Sequence, residues 1–552
     1  MSKADRILKP EGGVGLLFSF LLGLSFVLGV YGPEFVAGTS VFWRTEVRDV
    51  TQYVAGFNFY FSAPWLRPWF YFDALNYPQG TLATFVDAIP LYALLLKLLV
   101  PSTWAPFNPY GVWVALCFGL QAVGAWWIAK ALQQKSWMFL ITLVLLLLSF
   151  PALLDRIGHI SLMSHWLLLF ALALYLQSVR QGEWPLKSWT ALCFVAFFIN
   201  LYFFVMVCGV FASAWLSTPQ PNFRKAVQAL LIPAAVIAIA AFLTLWPMPS
   251  GKPTPEFGFG FYAMNLAAPW AGGHWLPVPQ SFGLNPIAGF TYIGGPGQYE
   301  GFNYLGLGVL LLMAFSAMRM LPSIGRHKAL FGLLLVFAIY AVSDHVTLGQ
   351  KTLMEFNYPA WLLPVTSQFR ASGRFFWLVA YVLLVVSLYK THQKLKAPQF
   401  AAVALLVLLV QATDLQGVYQ GLQYRLQRED PPVITPEKWD AALGNSVRVV
   451  YAYPKFKCGQ DTQNSLLPLM KYASQRQLKL NTGYIARYTP DCADMSAEIT
   501  QSNPAVSAYA FSQGALPAGV APASVFPRSW HVRCDANDFA QVCRATAPVS
   551  QP

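Results

Sequence analysis

Residues Val14–Val30 read VGLLFSFLLGLSFVLGV, a run with no charged side chain. A helix of about 17–25 apolar residues suits the ~30 Å hydrocarbon core of a bilayer, so this run predicts a first spanning segment. Lys3, Arg6 and Lys9 precede it. Cations collect on the cytoplasmic side of membrane proteins, which puts the N-terminus in the cytoplasm. No Ala-x-Ala-like site follows the run, which argues against a cleaved signal peptide.

Further apolar runs lie at 111–132, 137–154, 162–179, 226–247, 303–321, 329–346, 375–392 and 398–415. The composition agrees with them: 56% hydrophobic and 11% charged residues do not describe a soluble chain of 552 residues. Mean hydropathy is +0.46. The 37 Lys and Arg against 24 Asp and Glu give a formal charge of +13. In a soluble chain that excess would suggest nucleic acid, but here it reads as membrane topology, and no nucleic-acid partner is expected.

Two stretches need separate treatment. Residues 86–99 (VDAIPLYALLLKLL) are apolar but short and carry Lys97, which predicts an interfacial or re-entrant helix that does not cross. Residues 188–217 are long enough for more than one segment and are interrupted by Asn200, which predicts a pair of short helices turning there. The expectation is a polytopic α-helical membrane protein of about eleven segments over residues 1–415, with outer loops at 31–110 and 248–302. The inside loops then hold fifteen cations against three acids, Asp5, Glu11 and Glu183. Residues 416–552 would form a small exported domain of α/β or mixed type.

The cysteines divide in the same way. Cys117, Cys193 and Cys208 lie in apolar runs and read as small buried hydrophobes. Cys458, Cys492, Cys534 and Cys543 all fall in the polar tail, where an even number in an exported domain suggests two disulfides. Of the three pairings, Cys458–Cys492 with Cys534–Cys543 is favoured, although spacing does not settle it. Zinc is the rival, but the tail has no C-x-x-C knuckle. Val447–Tyr453 reads as a buried strand, Leu478–Tyr488 as a second, and Pro504–Pro527 as loop and linker.

Ionisable residues gather at the expected outer face. The first outer loop carries Arg44, Glu46, Arg48, Asp49, Arg67, Asp73 and Asp87, and loops of that length are usually functional. Within it Val50, Tyr53, Val54, Phe57 and Phe61 recur at helical spacing, predicting an amphipathic helix on the membrane with Asp49 at its N-terminal edge, either as a helix cap or as a chemical group. The turn Pro151–His165 (PALLDRIGHISLMSH) brings Asp155, Arg156, His159 and His165 to the ends of two spans. An Asp155–Arg156 pair anchoring the turn is one reading, and a functional site is the other. In SQFRASGRFFW, Arg370 and Arg374 stand four apart, a fork for a phosphate or two side chains snorkelling to ordinary lipids.

With these features the chain resembles the C-type (GT-C) membrane glycosyltransferases, the superfamily of protein O-mannosyltransferases, oligosaccharyltransferases and aminoarabinose transferases. The likeness rests on the long first loop with an early acid in RDVTQYVAGFNFYF, a helix beginning DAIPLY and a P-x(3)-D-R-x(2)-H turn after the third span. A short helix pair and a large later outer loop complete it. It covers the architecture of about residues 1–400 and is closest to uncharacterised bacterial members. The resemblance implies a multi-pass protein of a bacterial inner membrane and transfer of a sugar from a polyprenyl-phosphate donor to a glycan or protein acceptor. It implies that the first-loop acid is catalytic, hence Asp49, with Asp87 less securely matched. Members often hold the donor phosphate with a basic residue, for which Arg156, Arg370 and Arg374 are candidates.

The chemistry of such a transfer fits these residue types. A carboxylate takes the proton of the acceptor hydroxyl, and arginines stabilise the departing lipid phosphate. His159 and the second-loop residues Trp270, His274 and Tyr299 are candidates to hold the sugar, with interfacial anchoring as the plainer role of the aromatics. Asp49, Asp87 and His159 are the residues a divalent metal would take, although no ligand spacing demands one. Rival classes are a flippase or transporter for a lipid-linked sugar, a polysaccharide polymerase or ligase, and a noncatalytic scaffold. The first would need ionisable groups near the bilayer midplane, whereas those here cluster at one face.

Overall fold

The computed structural model describes residues 9–182, 184–218, 223–248, 257–278, 284–287, 290–459, 463–488 and 490–546. Lys3, Asp5, Arg6 and Glu183 lie outside them. The chain is mostly helical. Among the described residues, eight helical stretches are long and apolar enough to cross a membrane: Gly13–Val30, Tyr110–Ala131, Trp137–Gly158, Ile160–Arg180, Phe223–Leu245, Leu307–Arg326, Ser372–Lys394 and Ala397–Asp414. Leu186–Ile199, Leu201–Ser217 and Lys328–Val342 are apolar but shorter. Asn200 divides the first two of these, because its backbone is extended and its side chain accepts from Tyr202 N, capping the second helix. The ten-residue helix Pro90–Leu99 is too short to cross.

The chain forms two compact units. One comprises Met1–Ala37, Tyr110–Ala238 and Pro255–Arg428; the other comprises Gly38–Pro109, Ile239–Thr254 and Glu429–Pro552. Gly38–Pro109 thus packs with the tail. Backbone pairing is one cause: Leu75 bridges Leu480 in parallel, Tyr77 N donates to Leu480 O (3.0 Å), and Leu480 N donates to Ala74 O (2.9 Å). Side chains add to it. Glu46 Oε2 accepts from the amides of Val433 (2.8 Å) and Ile434 (3.0 Å), Arg48 pairs with Asp430 (2.6 Å), and Lys479 pairs with Asp73 (2.6 Å).

The helix expected over 50–61 is present as Asp49–Ser62, but it does not lie on a surface. Thr51, Ala55, Gly56, Asn58, Phe59 and Tyr60 are buried along with Val50, Tyr53, Phe57 and Phe61. Small and polar residues on its second face let other segments close over it, Val86 O against Gly56 and Phe107 against Asn58. The helix Gln463–Gln475 packs on it as well.

The tail is built on a five-stranded mixed sheet in the order His531–Asn537, Ala540–Thr546, Ser507–Ser512, Val449–Tyr453, Lys479–Leu480. The first two pairings are antiparallel and the last two parallel. The strand expected over Val447–Tyr453 is present as Val449–Tyr453, inside the sheet and fully buried. Two expectations are corrected. Leu478–Tyr488 contributes only Lys479–Leu480 as strand, and Pro504–Pro527 is not all loop, because Ser507–Ser512 (SAYAFS) lies in mid-sheet. Its Ala and Ser have weak strand propensity, but Tyr509 and Phe511 pack on Tyr451 and Tyr453 and override it. Disulfides Cys458–Cys492 and Cys534–Cys543 are both formed, in the favoured pairing.

Candidate functional site

Within the first unit, five charged side chains from distant parts of the sequence meet in one buried cluster. Pro151 opens a one-turn helix after Trp137–Leu148, and Asp155 and Arg156 follow at its end. Arg156 pairs with Asp155 and donates to Glu300 Oε2 (2.5 Å) and to Tyr299 O (3.2 Å). Arg374 reaches the same Glu300 oxygen through Nε and Nη2, both at 3.0 Å. His159 Nε2 stands 3.2 Å from the other oxygen, Oε1. On the far side Arg425 pairs with Asp155 (3.2 Å), and Tyr292 donates its hydroxyl proton to Asp155 Oδ1 (2.5 Å).

The backbone explains why the cluster can form. Glu300 sits on the 3-10 turn Gln298–Gly301 and Arg374 on the 3-10 turn Ser372–Phe375. The turns touch at glycines, and Asn303 Nδ2 ties them by donating to Gly301 O (3.1 Å) and Gly373 O (2.9 Å). Burial alone would push the Glu300 carboxyl up, but Arg374 and Arg156, with His159, hold it well below the usual carboxylate range. Two arginines on one carboxylate leave it no reason to protonate at neutral pH.

Exposure separates the residues of this site. The Arg156 side chain is 4% exposed, so all its hydrogen bonds are spent inside, whereas Arg374 is 13% and His159 32% exposed. Arg374 also lies over the Tyr202 ring (4.7 Å). Arg370 is half-buried, donates to Phe257 O (2.9 Å) and stands over the Tyr262 ring (5.6 Å). Tyr299 is half-buried beside Tyr262 and Tyr292. His165 is not in the cluster; it is fully buried in the bundle, bonded to the Tyr381 hydroxyl (2.7 Å).

The remaining expected residues lie elsewhere. Trp270 and His274 are exposed, and among the described residues no hydrogen bond links either to the cluster. The His274 amide instead donates to Asp414 O, beside the buried Asp414 carboxylate that accepts from Tyr304 Oη (2.6 Å) and Leu307 N (2.9 Å). Asp49 and Asp87 belong to the second unit and are exposed. Asp49 is the first residue of its helix, with Arg48 in the cap position, so the role of N-cap is not its own. Gln52, one turn on, donates to Asp87 Oδ2 (3.1 Å), which places both acids at the same end of that helix. Among the described residues no three His, Cys, Asp or Glu side chains gather as a metal site.

Glu300, Tyr292 and Arg425 were not found from the sequence. Glu300 had a signal, being the only acid between Glu256 and Asp344. An isolated acid in so apolar a stretch needs a partner.

These features define a mostly helical chain with helices long and apolar enough to cross a membrane, a buried arginine and carboxylate cluster and a disulfide-bonded sheet domain. The chain belongs to the family described as "Domain of unknown function (DUF6311)", whose model matches residues 20–416; the "DUF6311 C-terminal domain" matches residues 438–545. No curated protein and no solved structure matches it.

Proposed function

We propose that this protein transfers a sugar from a polyprenyl-phosphate-linked donor to a hydroxyl of a glycan or protein acceptor at the outer face of a bacterial inner membrane. The observation that carries the reading is the charge balance of the cluster. Three arginines, Arg156, Arg374 and Arg425, share two carboxylates, Asp155 and Glu300, leaving one positive charge over. A buried site with one cation in excess favours an anion such as a lipid phosphate.

The roles divide by exposure. Arg374 and Arg370 contact the donor phosphate and stabilise the charge it gains on leaving. Arg156, enclosed by acids, holds Glu300 and so positions Arg374. Asp49 takes the acceptor proton, with Asp87 beside it. In this reading the three shorter apolar helices also cross, giving eleven segments, with the N-terminus cytoplasmic and the disulfide-bonded tail exported. Membrane lipids surround the bundle.

The test is incubation of the purified protein in nanodiscs with a panel of polyprenyl-phosphate sugars, following free lipid phosphate. Release with at least one donor is expected. No release from any donor, by protein that is folded and monodisperse, would remove the reading.

A further inference from the structure

A cavity of about 540 Å³ opens in the first unit between the segment from Phe257 to Phe261, the loop at Gly294–Gln298 and the hairpin of His345–Leu348 with Lys351–Glu355. None of its acids belongs to the cluster described above. Its walls combine two kinds of surface. Phe257, Phe259 and Phe261 supply aromatic faces, and Asp344, His345 and Glu355 supply polar groups. Pockets that mix aromatic walls with a few convergent polar groups are the usual form of a small-molecule site.

The polar groups favour a ligand that brings donors. Asp344 Oδ1 is buried and has no hydrogen-bond partner among the described residues. The side chain as a whole is half-buried and lines the cavity, so Asp344 stands in the wall as an acceptor. Gly260, whose φ is +82°, packs over that oxygen, and a Cβ there would stand 2.8 Å from it. Across the hairpin, His345 Nε2 bonds Thr352 Oγ1 (3.2 Å), and its Nδ1 lies 3.7 Å from Glu355. Gln298 is occupied in the wall, donating to Thr347 Oγ1 (2.7 Å) and accepting from Asn265 (3.1 Å). Acceptor oxygens beside aromatic faces suit a compact ligand with many hydroxyls and an apolar underside.

The cavity adjoins the phosphate candidates. Phe257, one of its walls, accepts from Arg370 through its carbonyl, and Gln298 shares its 3-10 turn with Glu300. We propose that this cavity takes the saccharide of the lipid-linked donor, with Asp344 accepting from its hydroxyls while Arg370 holds the phosphate. This rests on the transferase reading above, and it adds a sugar subsite of its own.

The test uses full-length protein in nanodiscs free of glycoside detergent. Saturation-transfer NMR and titration are run with glucose, mannose, galactose, N-acetylglucosamine and the 1-phosphate of each. At least one 1-phosphate is expected to bind. Asp344→Asn should weaken it about tenfold or more, as expected for losing a charged hydrogen bond. Gly295→Trp should abolish binding; a side chain at Gly295 meets open space, so this variant carries the test even if Asp344→Asn misfolds. Arg370→Ala should remove only the advantage of the 1-phosphate over the free sugar. Absence of binding across the panel, or binding indifferent to both Asp344→Asn and Gly295→Trp, overturns the proposal. The two readings fail separately. Variant-sensitive sugar binding without lipid-phosphate release would leave the cavity and remove the transferase. Release at unchanged donor KM by Gly295→Trp would do the reverse.

Discussion

Gly301 and Gly373 meet backbone to backbone: a methyl group on Gly373 would lie 2.6 Å from the Cα of Gly301. That contact sets the distance between the turns bearing Glu300 and Arg374. Gly373→Ala should therefore push the turns apart and destabilise the first unit by about 1–3 kcal/mol, the usual cost of overpacking. Thermal unfolding in detergent measures it, and an unchanged melting temperature would mean that the turns are not held this way.

Glu300 joins two arginines and His159 in a buried site, so removing its charge strands its partners. Glu300→Gln should cost about 3–5 kcal/mol, as for breaking one side of a buried ion pair. Adding Arg374→Ala to it should cost less than the sum of the two single changes. Strict additivity would show that the two do not act together.

In the tail, Asp538 accepts from Thr435 N (2.7 Å), Thr435 Oγ1 (3.0 Å) and Trp439 Nε1 (3.0 Å). Burial pushes its carboxyl up, but these bonds and Lys438 outweigh that and hold it below its ordinary value. A carboxyl lowered in the folded state lends stability that is complete above its unfolded pKa and is lost as pH falls through the folded one. Asp538→Asn should thus unfold the tail at lower temperature than wild type at pH 7, and the gap should close as pH falls through the lowered pKa of the folded carboxyl. A gap that persists unchanged in acid would assign the effect to shape rather than charge.

The Cys458–Cys492 bridge closes a separation of 34 residues. Replacing both by Ser should cost about 2–4 kcal/mol in the tail. Without reductant, native wild-type protein should expose no reactive thiol after residue 430 on either side of the membrane. Labelling there would contradict both bridges.

Asp49→Asn should reduce turnover by about 10²-fold or more while leaving donor affinity alone, if Asp49 is the general base. Near-normal transfer by this variant would move attention to Asp87 at the same helix end. Parallel loss of donor binding would make Asp49 a binding residue.

The helices were legible because their signal is local. A run such as Val14–Val30 declares itself by length, and Asn200 declares a break within its own segment. Charge pairing carries no such signal. Asp155, Arg156 and Arg374 stood out in motifs, but nothing near Arg425 or Tyr292 in the sequence announces that both turn towards Asp155. Periodicity likewise found the helix beginning at Asp49 and assigned it one buried face. Gly56 and Asn58, which let a second face be covered, looked like interruptions of an apolar stripe. Ser507–Ser512 was hidden because its packing partners, not its own residues, make it a strand.

The bridge from Leu75 to Leu480 joins the first and last of the three stretches of chain that make up the second unit. Its first part leaves the ribosome early, and every apolar span from Tyr110 to Asp414 is made before the sheet that completes it. Until then the edge groups of Ala74 and Tyr77 and the amide-seeking Glu46 wait without partners, in a segment rich in aromatic side chains. Assembly of this unit therefore waits for the chain around residue 480 to be made, and it carries the long loop closure that slows folding. Truncation before residue 479 would strip the first loop of its sheet partner and so damage a region hundreds of residues upstream of the cut.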